Sequence, residues 1–151
     1  MVDLSAYNAE TLRIDRNGDW WYGDQKIVRG GLVRLFYRFL FKQEDGYFIV
    51  TPAERVRVAV EDAAYLVVNI IEAAPGCLTL CLNDDTEIPL DRTHLPRADA
   101  RGILHVPVRN GLTARFSQAC HVELGLRLTE DGPGRFLLVN CGETLLIESP
   151  V

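Results

Sequence analysis

The stretch best suited to chemistry is Gly30-Gly31 ahead of an apolar run, with Arg29 before it and Arg34 within it. A helix that starts at such a pair offers backbone N–H groups at the positive end of its dipole, and these suit an anion. Guanidinium forks recognise phosphate or carboxylate through two parallel hydrogen bonds. Eighty positions on, Asn110-Gly111 repeats the offer, with Arg109 and Arg115 beside it. The echo is wider than that. Val28 to Phe36 reads VRGGLVRLF and Val108 to Phe116 reads VRNGLTARF, with Val, Arg, Gly, Leu and Phe recurring in register. If two halves pack face to face, four arginines could converge at their junction on one anionic ligand. Ordinary ion pairs with Glu54, Glu61, Asp62 or Glu123 are the commoner use of such arginines.

Other constellations say less. Glu54, Glu61 and Asp62 form a carboxylate group that could do acid–base work, although Glu61-Asp62 at a strand end more often makes a solvated turn or an ion pair. Cys141, between Asn140 and Gly142, reads as a turn thiol with no activating neighbour. Cys77 and Cys81 share a strand face but stand roughly 14 Å apart, too far for one zinc ion. Cys120 and His121 point to opposite faces if that segment is a strand. His94 and His105 fall in or beside a polar loop. No metal spacing, nucleophile elbow or phosphate loop occurs. The sequence therefore names no catalytic residue, no metal and no cofactor. Trp20 and Trp21 face opposite ways on a strand; one could stack on a base or a partner, although core packing for both is the commoner case.

Composition sets the frame. A chain of 151 residues, 48% apolar and 25% charged, reads as a globular protein able to bury a core without metal staples. The net charge of −5, with signs interspersed, shows no basic field of the kind a nucleic-acid binder carries. The first residues lack a basic start and an apolar stretch, so no signal peptide is expected. The longest apolar run, Ala63 to Ile71, is nine residues, too short to span a membrane. A cytoplasmic location follows as the expectation, with all four cysteines reduced.

The elements that would position these groups are mostly strands. Residues 1 to 10 read as a loose arm. Leu12 to Asp15 and Trp20 to Tyr22 make a hairpin around Arg16-Asn17-Gly18-Asp19. Leu32 to Phe41 reads as a helix, with Leu32, Leu35, Phe36, Phe39 and Leu40 on one face and Arg34 and Arg38 on another. Tyr47 to Val50 is a strand ended by Thr51-Pro52. Glu54 to Asp62 alternates strictly, Val56, Val58 and Val60 against Arg55, Arg57, Ala59 and Glu61. Tyr65 to Glu72, Cys77 to Leu82 and Glu87 to Leu90 follow as strands, and Asp91 to Arg101 is a polar boundary loop. Ile103 to Val108 leads to a second short helix from Asn110-Gly111, with Leu112, Arg115, Phe116 and Ala119 at helical spacing. From Cys120 the period becomes two, predicting a long strand with Val122, Leu124, Leu126 and Leu128 on one side. Asp131-Gly132-Pro133-Gly134 turns the chain into a final pair, Phe136 to Val139 and Thr144 to Ile147. Gly46 to Val50 is loosely echoed by Gly134 to Leu138. The fold class is α+β: two similar halves from an internal duplication, with mainly antiparallel sheets each covered by a helix. The halves are residues 1–90 and 91–151, sharing one core.

Gly18-Asp19-Trp20, Ile27-Val28-Arg29, Leu32 to Phe36, Gly46-Tyr47, Val50 to Glu54 and Val60-Glu61-Asp62 resemble a bacterial family known as domain of unknown function 1285. Pro107-Val108-Arg109, Gly111-Leu112, Ala114-Arg115 and Glu123-Leu124 are similar to its second block. The resemblance spans residues 12 to 147. It implies an internal domain duplication and a C-terminal half superficially like a pleckstrin-homology domain. It also implies a nucleotide-like ligand at the junction of the halves and a role in signal transduction. Carried over by position, the ligand-binding residues are Arg29, Arg34, Thr51, Glu54, Glu61, Asp62, Arg109 and Arg115. The sequence departs from the family at Ala63-Ala64-Tyr65 and at Gln118, where a basic residue is usual. The expected function is non-catalytic ligand sensing. An interaction scaffold for a protein partner, with no small-molecule ligand, is the alternative, and an enzyme comes last.

Overall fold

The computed structural model describes residues 12–150, so the N-terminal arm expected over residues 1 to 10 lies outside the described residues. The chain divides into two compact units. The first runs to Ala64 and also takes in Arg109–Leu112; the second holds Tyr65–Val108 and the chain from Thr113 onward.

The first unit opens with β1 (Leu12–Ile14), β2 (Trp20–Tyr22) and β3 (Gln25–Lys26), then α1 (Gly30–Arg38). The Asp15 carboxylate accepts the backbone N–H groups of Asn17 and Asp19, which fixes the β1–β2 turn. The remaining strands are β4 (Leu40–Gln43), β5 (Gly46–Val50) and β6 (Arg55–Val60). They form one six-stranded sheet in the order β3-β2-β1-β6-β5-β4. Its neighbours pair antiparallel except β1 and β6, which run parallel with Ile14 opposite Val60. The strict alternation read in β6 is the one observed: Val56 and Val58 are buried, Arg55 and Arg57 exposed.

The helix is shorter than expected. Leu40 and Phe41 leave it to pair with Ile49 and Phe48. A short apolar run has no periodicity that separates helix from strand, and here the following hairpin decided. The buried side of α1 is carried by Phe36 and Tyr37. Both rings pack on Trp20, the Tyr37 ring edge-on at 5.2 Å. The Tyr37 hydroxyl donates to the Ala64 carbonyl at 2.7 Å.

The second unit repeats the plan. Its strands are β7 (Tyr65–Ala74), β8 (Cys77–Leu82), β9 (Glu87–Pro89), β10 (Arg97–Ala98), β11 (Leu104–Pro107) and β12 (Thr113–Phe116). The sheet order is β10-β11-β12-β7-β8-β9, again with one parallel pair, β12 and β7. Read from β9, this is the order of the first sheet: a three-strand meander, a parallel join and a second meander. The chain continues into α2 (Gln118–Gly125) and a three-stranded antiparallel sheet of β13 (Thr129–Glu130), β14 (Arg135–Asn140) and β15 (Glu143–Glu148). The architecture is thus mostly sheet, with two helices and two similar halves.

Three expectations need correction. Asn110-Gly111 starts no α-helix. Arg109–Gly111 is a 3-10 turn with Asn110 in the left-handed region (φ 60°), and Thr113–Phe116 is strand β12. The strand expected from Cys120 is helix α2, capped by Ser117, whose hydroxyl accepts the Cys120 N–H. Both errors have one cause. A period of two and a helical period both place i and i+4 on one face, so Leu112 with Phe116, or Cys120 with Leu124, fits either. The third correction concerns the thiols: Cys77 and Cys141 form a disulfide, with Cα atoms 4.7 Å apart, leaving Cys81 and Cys120 free. The bond ties the β7–β8 turn to the β14–β15 turn and removes Cys141 from the candidate nucleophiles.

The sequence echo also proves to link unlike elements. It matches α1 with the turn and strand at 109–116, whereas the repeated sheet order equates β1 with β7 and β6 with β12.

Candidate functional site

The arginine site predicted around Gly30 is built on the start of α1. Arg29 is the N-cap residue with extended backbone, and its carbonyl accepts from Leu32 and Val33. The Arg29 side chain makes no capping hydrogen bond, and the first turn holds no acidic residue. The Arg34 guanidinium folds back toward the helix start, with Nη1 3.2 Å from where a Gly30 Cβ would stand. Glycine at position 30 leaves that space to the arginine. Two cationic side chains therefore stand at the positive end of the helix dipole.

Of the other predicted residues, Thr51 and Glu54 close a turn: the Thr51 hydroxyl accepts the Glu54 N–H at 3.1 Å, and the Thr51 N–H donates to the Glu54 carbonyl. Glu61 pairs with Arg16, whose Nε donates at 3.0 Å and whose backbone N–H donates to the second carboxylate oxygen. Asp62 follows it at the end of β6, half-buried. Arg109 belongs to the first unit with Arg29 and Arg34. Its neighbour Asn110 anchors the segment there, donating from Nδ2 to the Leu40 carbonyl at 3.0 Å. Gly111, at φ 75°, lies close against Lys42, where an added Cβ would meet the lysine Cβ at 3.3 Å. Arg115 sits half-buried on β12 in the second unit, opposite His105 and Leu66.

Sequence reasoning passed over a second group. Arg13 lies over the Trp21 ring at 4.8 Å, and Arg55 and Arg57 lie over Phe48 at 3.5 and 4.9 Å. The alternation of β6 was readable, but the neighbour that each arginine covers follows only from strand register. Asp15 orients this group by accepting the Trp21 indole N–H at 2.8 Å. Burial alone would raise the Asp15 carboxyl. Hydrogen bonds from Trp21, Asp19 and Asn17, with Arg13 nearby, outweigh it and hold the group below its usual range. In the second unit, burial pushes the Cys81 and Cys120 thiols up, away from reactive thiolates. A cleft of about 450 Å³ there is walled by residues such as Glu72, Leu78, Arg127 and Asn140, and by none of the predicted site residues. Among the described residues no cluster of three or more His, Cys, Asp or Glu is placed to hold a metal.

Comparison with known proteins agrees with the resemblance read from the sequence. Residues 5–63 match the family model described as domain of unknown function (DUF1285), N-terminal domain. No curated protein matches the chain. A DUF1285 family protein from Silicibacter pomeroyi DSS-3 is similar over 97% of this chain and 86% of its own, with 28% identity and a TM-score of 0.78. One from Shewanella baltica OS155 is similar over 77% of this chain and 91% of its own, at 28% identity and a TM-score of 0.67. The N-terminal part thus matches the DUF1285 family model, and the fold is similar to those of two DUF1285 family proteins.

Proposed function

We propose that this chain is a non-catalytic ligand-binding protein that senses a small anionic, nucleotide-like molecule in cytoplasmic signal transduction. The observation that carries the reading is the start of α1. The start of α1, with no acidic residue in its first turn, sets backbone N–H groups beside Arg29 and the folded-back Arg34, groups that an anion can engage together. A phosphate fits it, since backbone N–H groups and guanidinium forks both recognise phosphate oxygens. Catalysis has less support: Cys141 is held in a disulfide and Glu61 is engaged by Arg16.

The test is a thermal-shift screen against nucleotides, dinucleotides and other phosphorylated metabolites. A ligand at a hundredfold excess over its Kd stabilises a fold by about 2.7 kcal/mol. The expected result is a rise in Tm with one ligand class that Arg29→Ala abolishes while the ligand-free Tm stays nearly unchanged. Silence across the screen would defeat the sensing reading. A scaffold for a protein partner is the second reading. The order of six strands and then α2 in the second unit suits a pleckstrin-like half, and Val122 on α2 and Leu126 at its C-cap are exposed. Pull-down of a protein partner lost in Leu126→Glu would favour it.

A further inference from the structure

The outward face of the first sheet is unlike an ordinary solvated strand surface. α1 serves the opposite face, where Phe36 and Tyr37 meet Trp20. Across the outward face, register sets Lys26 opposite Trp21, Trp21 opposite Arg13, and Arg13 opposite Ala59. One pleat along β6, Arg57 stands opposite Phe48, and Phe48 opposite Phe41. Cations and rings thus share one face across six strands, a strand spacing of about 4.8 Å apart. Their contacts are specific. Arg13 stacks on Trp21, and Arg55 and Arg57 both stack on Phe48. Gly46 makes room for this, since a Cβ there would stand 2.7 Å from the Arg57 Nη1.

We propose that this face binds single-stranded nucleic acid, with bases stacking on Trp21 and the guanidinium planes while the arginine charges meet phosphates. Guanidinium planes laid over the half-buried Trp21 and the buried Phe48 give unpaired bases a platform, and duplex bases, already stacked inward, cannot use it. A peptide of acidic residues would use the charge but offers no aromatic faces to stack. Four carboxylates among the described residues lie on or beside this face, and Glu61, just past the end of β6, is paired with Arg16. Asp15 holds the Trp21 indole, Asp19 pairs with Lys26, and Asp45 pairs with Arg55 and Arg57 at 3.3 and 3.6 Å. The Asp45 side chain is 63% exposed, and an exposed pair of this kind is weak enough for a phosphate to displace. Five cations, Arg13, Arg16, Lys26, Arg55 and Arg57, stand against those four carboxylates, so the face is slightly positive in a chain of net charge −5.

The experiment is fluorescence anisotropy with a labelled oligothymidylate and the full chain, alongside a duplex of the same length and polyglutamate as competitor. The expected result is micromolar binding at low salt. If three phosphates are neutralised, affinity falls about twentyfold between roughly 50 and 200 mM salt. The duplex and polyglutamate should compete at least about tenfold less well, the worth of one stacked base. Arg13→Ala with Arg57→Ala should abolish binding with Tm little changed, and Trp21→Leu should weaken it about tenfold while preserving the salt slope. Arg29→Ala should leave it intact, which separates this face from the α1 site. No binding, equal competition by polyglutamate, or full affinity in the double variant would each overturn the proposal.

Discussion

Asn140 shows how much one side chain can hold. It is 4% exposed, accepts the Leu78 N–H at 2.8 Å and donates to the Leu90 carbonyl at 2.6 Å. These partners lie on and just beyond strands of the six-stranded sheet, so the amide fastens β14 to β8 and to the chain after β9. Asn140→Ala would leave two buried backbone groups without that partner, a loss of about 3 kcal/mol. Urea denaturation should read it as a lower midpoint with an unchanged slope. Nothing in the sequence marked Asn140 beyond a turn position next to Cys141, because its partners are 62 and 50 residues away. Trp20 and Trp21, by contrast, were legible as rings facing opposite ways, although both were expected in the core. Their alternation fixed the faces, and the structure supplied what covers each: Phe36 and Tyr37 on one, Arg13 on the other.

Elements were legible in proportion to the contrast of their patterns. β6 alternates apolar and charged residues, and its two faces are read correctly although its ends are overextended. α2 is not, because Val122 and Leu126 are apolar yet exposed, which imitates the outer half of a buried strand. The missed cue was Ser117, three positions before Cys120, where a hydroxyl can cap a helix start. The β14–β15 hairpin owes its place to the disulfide as well as to Asn140. Joining residues with a sequence separation of 64 removes unfolded-chain entropy worth about 4 kcal/mol. Reduction should therefore lower stability by up to that amount. A thiol titration of the unfolded chain should find two reactive groups before reduction, Cys81 and Cys120, and four after it. Four thiols in protein purified without reductant would contradict the bridge.

At the scale of the whole molecule, the first unit is not continuous in sequence. Arg109–Leu112 belongs to it, and Asn110 bonds to the carbonyl of Leu40, itself fully buried. A fragment ending at Ala64 lacks this segment. It should melt at a lower temperature and less cooperatively than the full chain when followed by far-ultraviolet circular dichroism. A fragment as stable as the full chain would show that the segment contributes little. The repeated sheet order was anticipated as a duplication, yet the nine-residue echo that suggested it joins a helix to a strand. Several features followed from sequence alone: the turns, the strongly alternating strands, the helix start after Arg29 and the resemblance to the DUF1285 family. These depend on residues within a few positions of one another, or on short blocks that survive as text. Tertiary structure alone decided the rest: helix or strand for ambiguous apolar runs, the parallel joins, the disulfide, and the arginines laid over aromatic rings. Each of those is a contact between segments distant in the chain, whose free energy no local pattern contains.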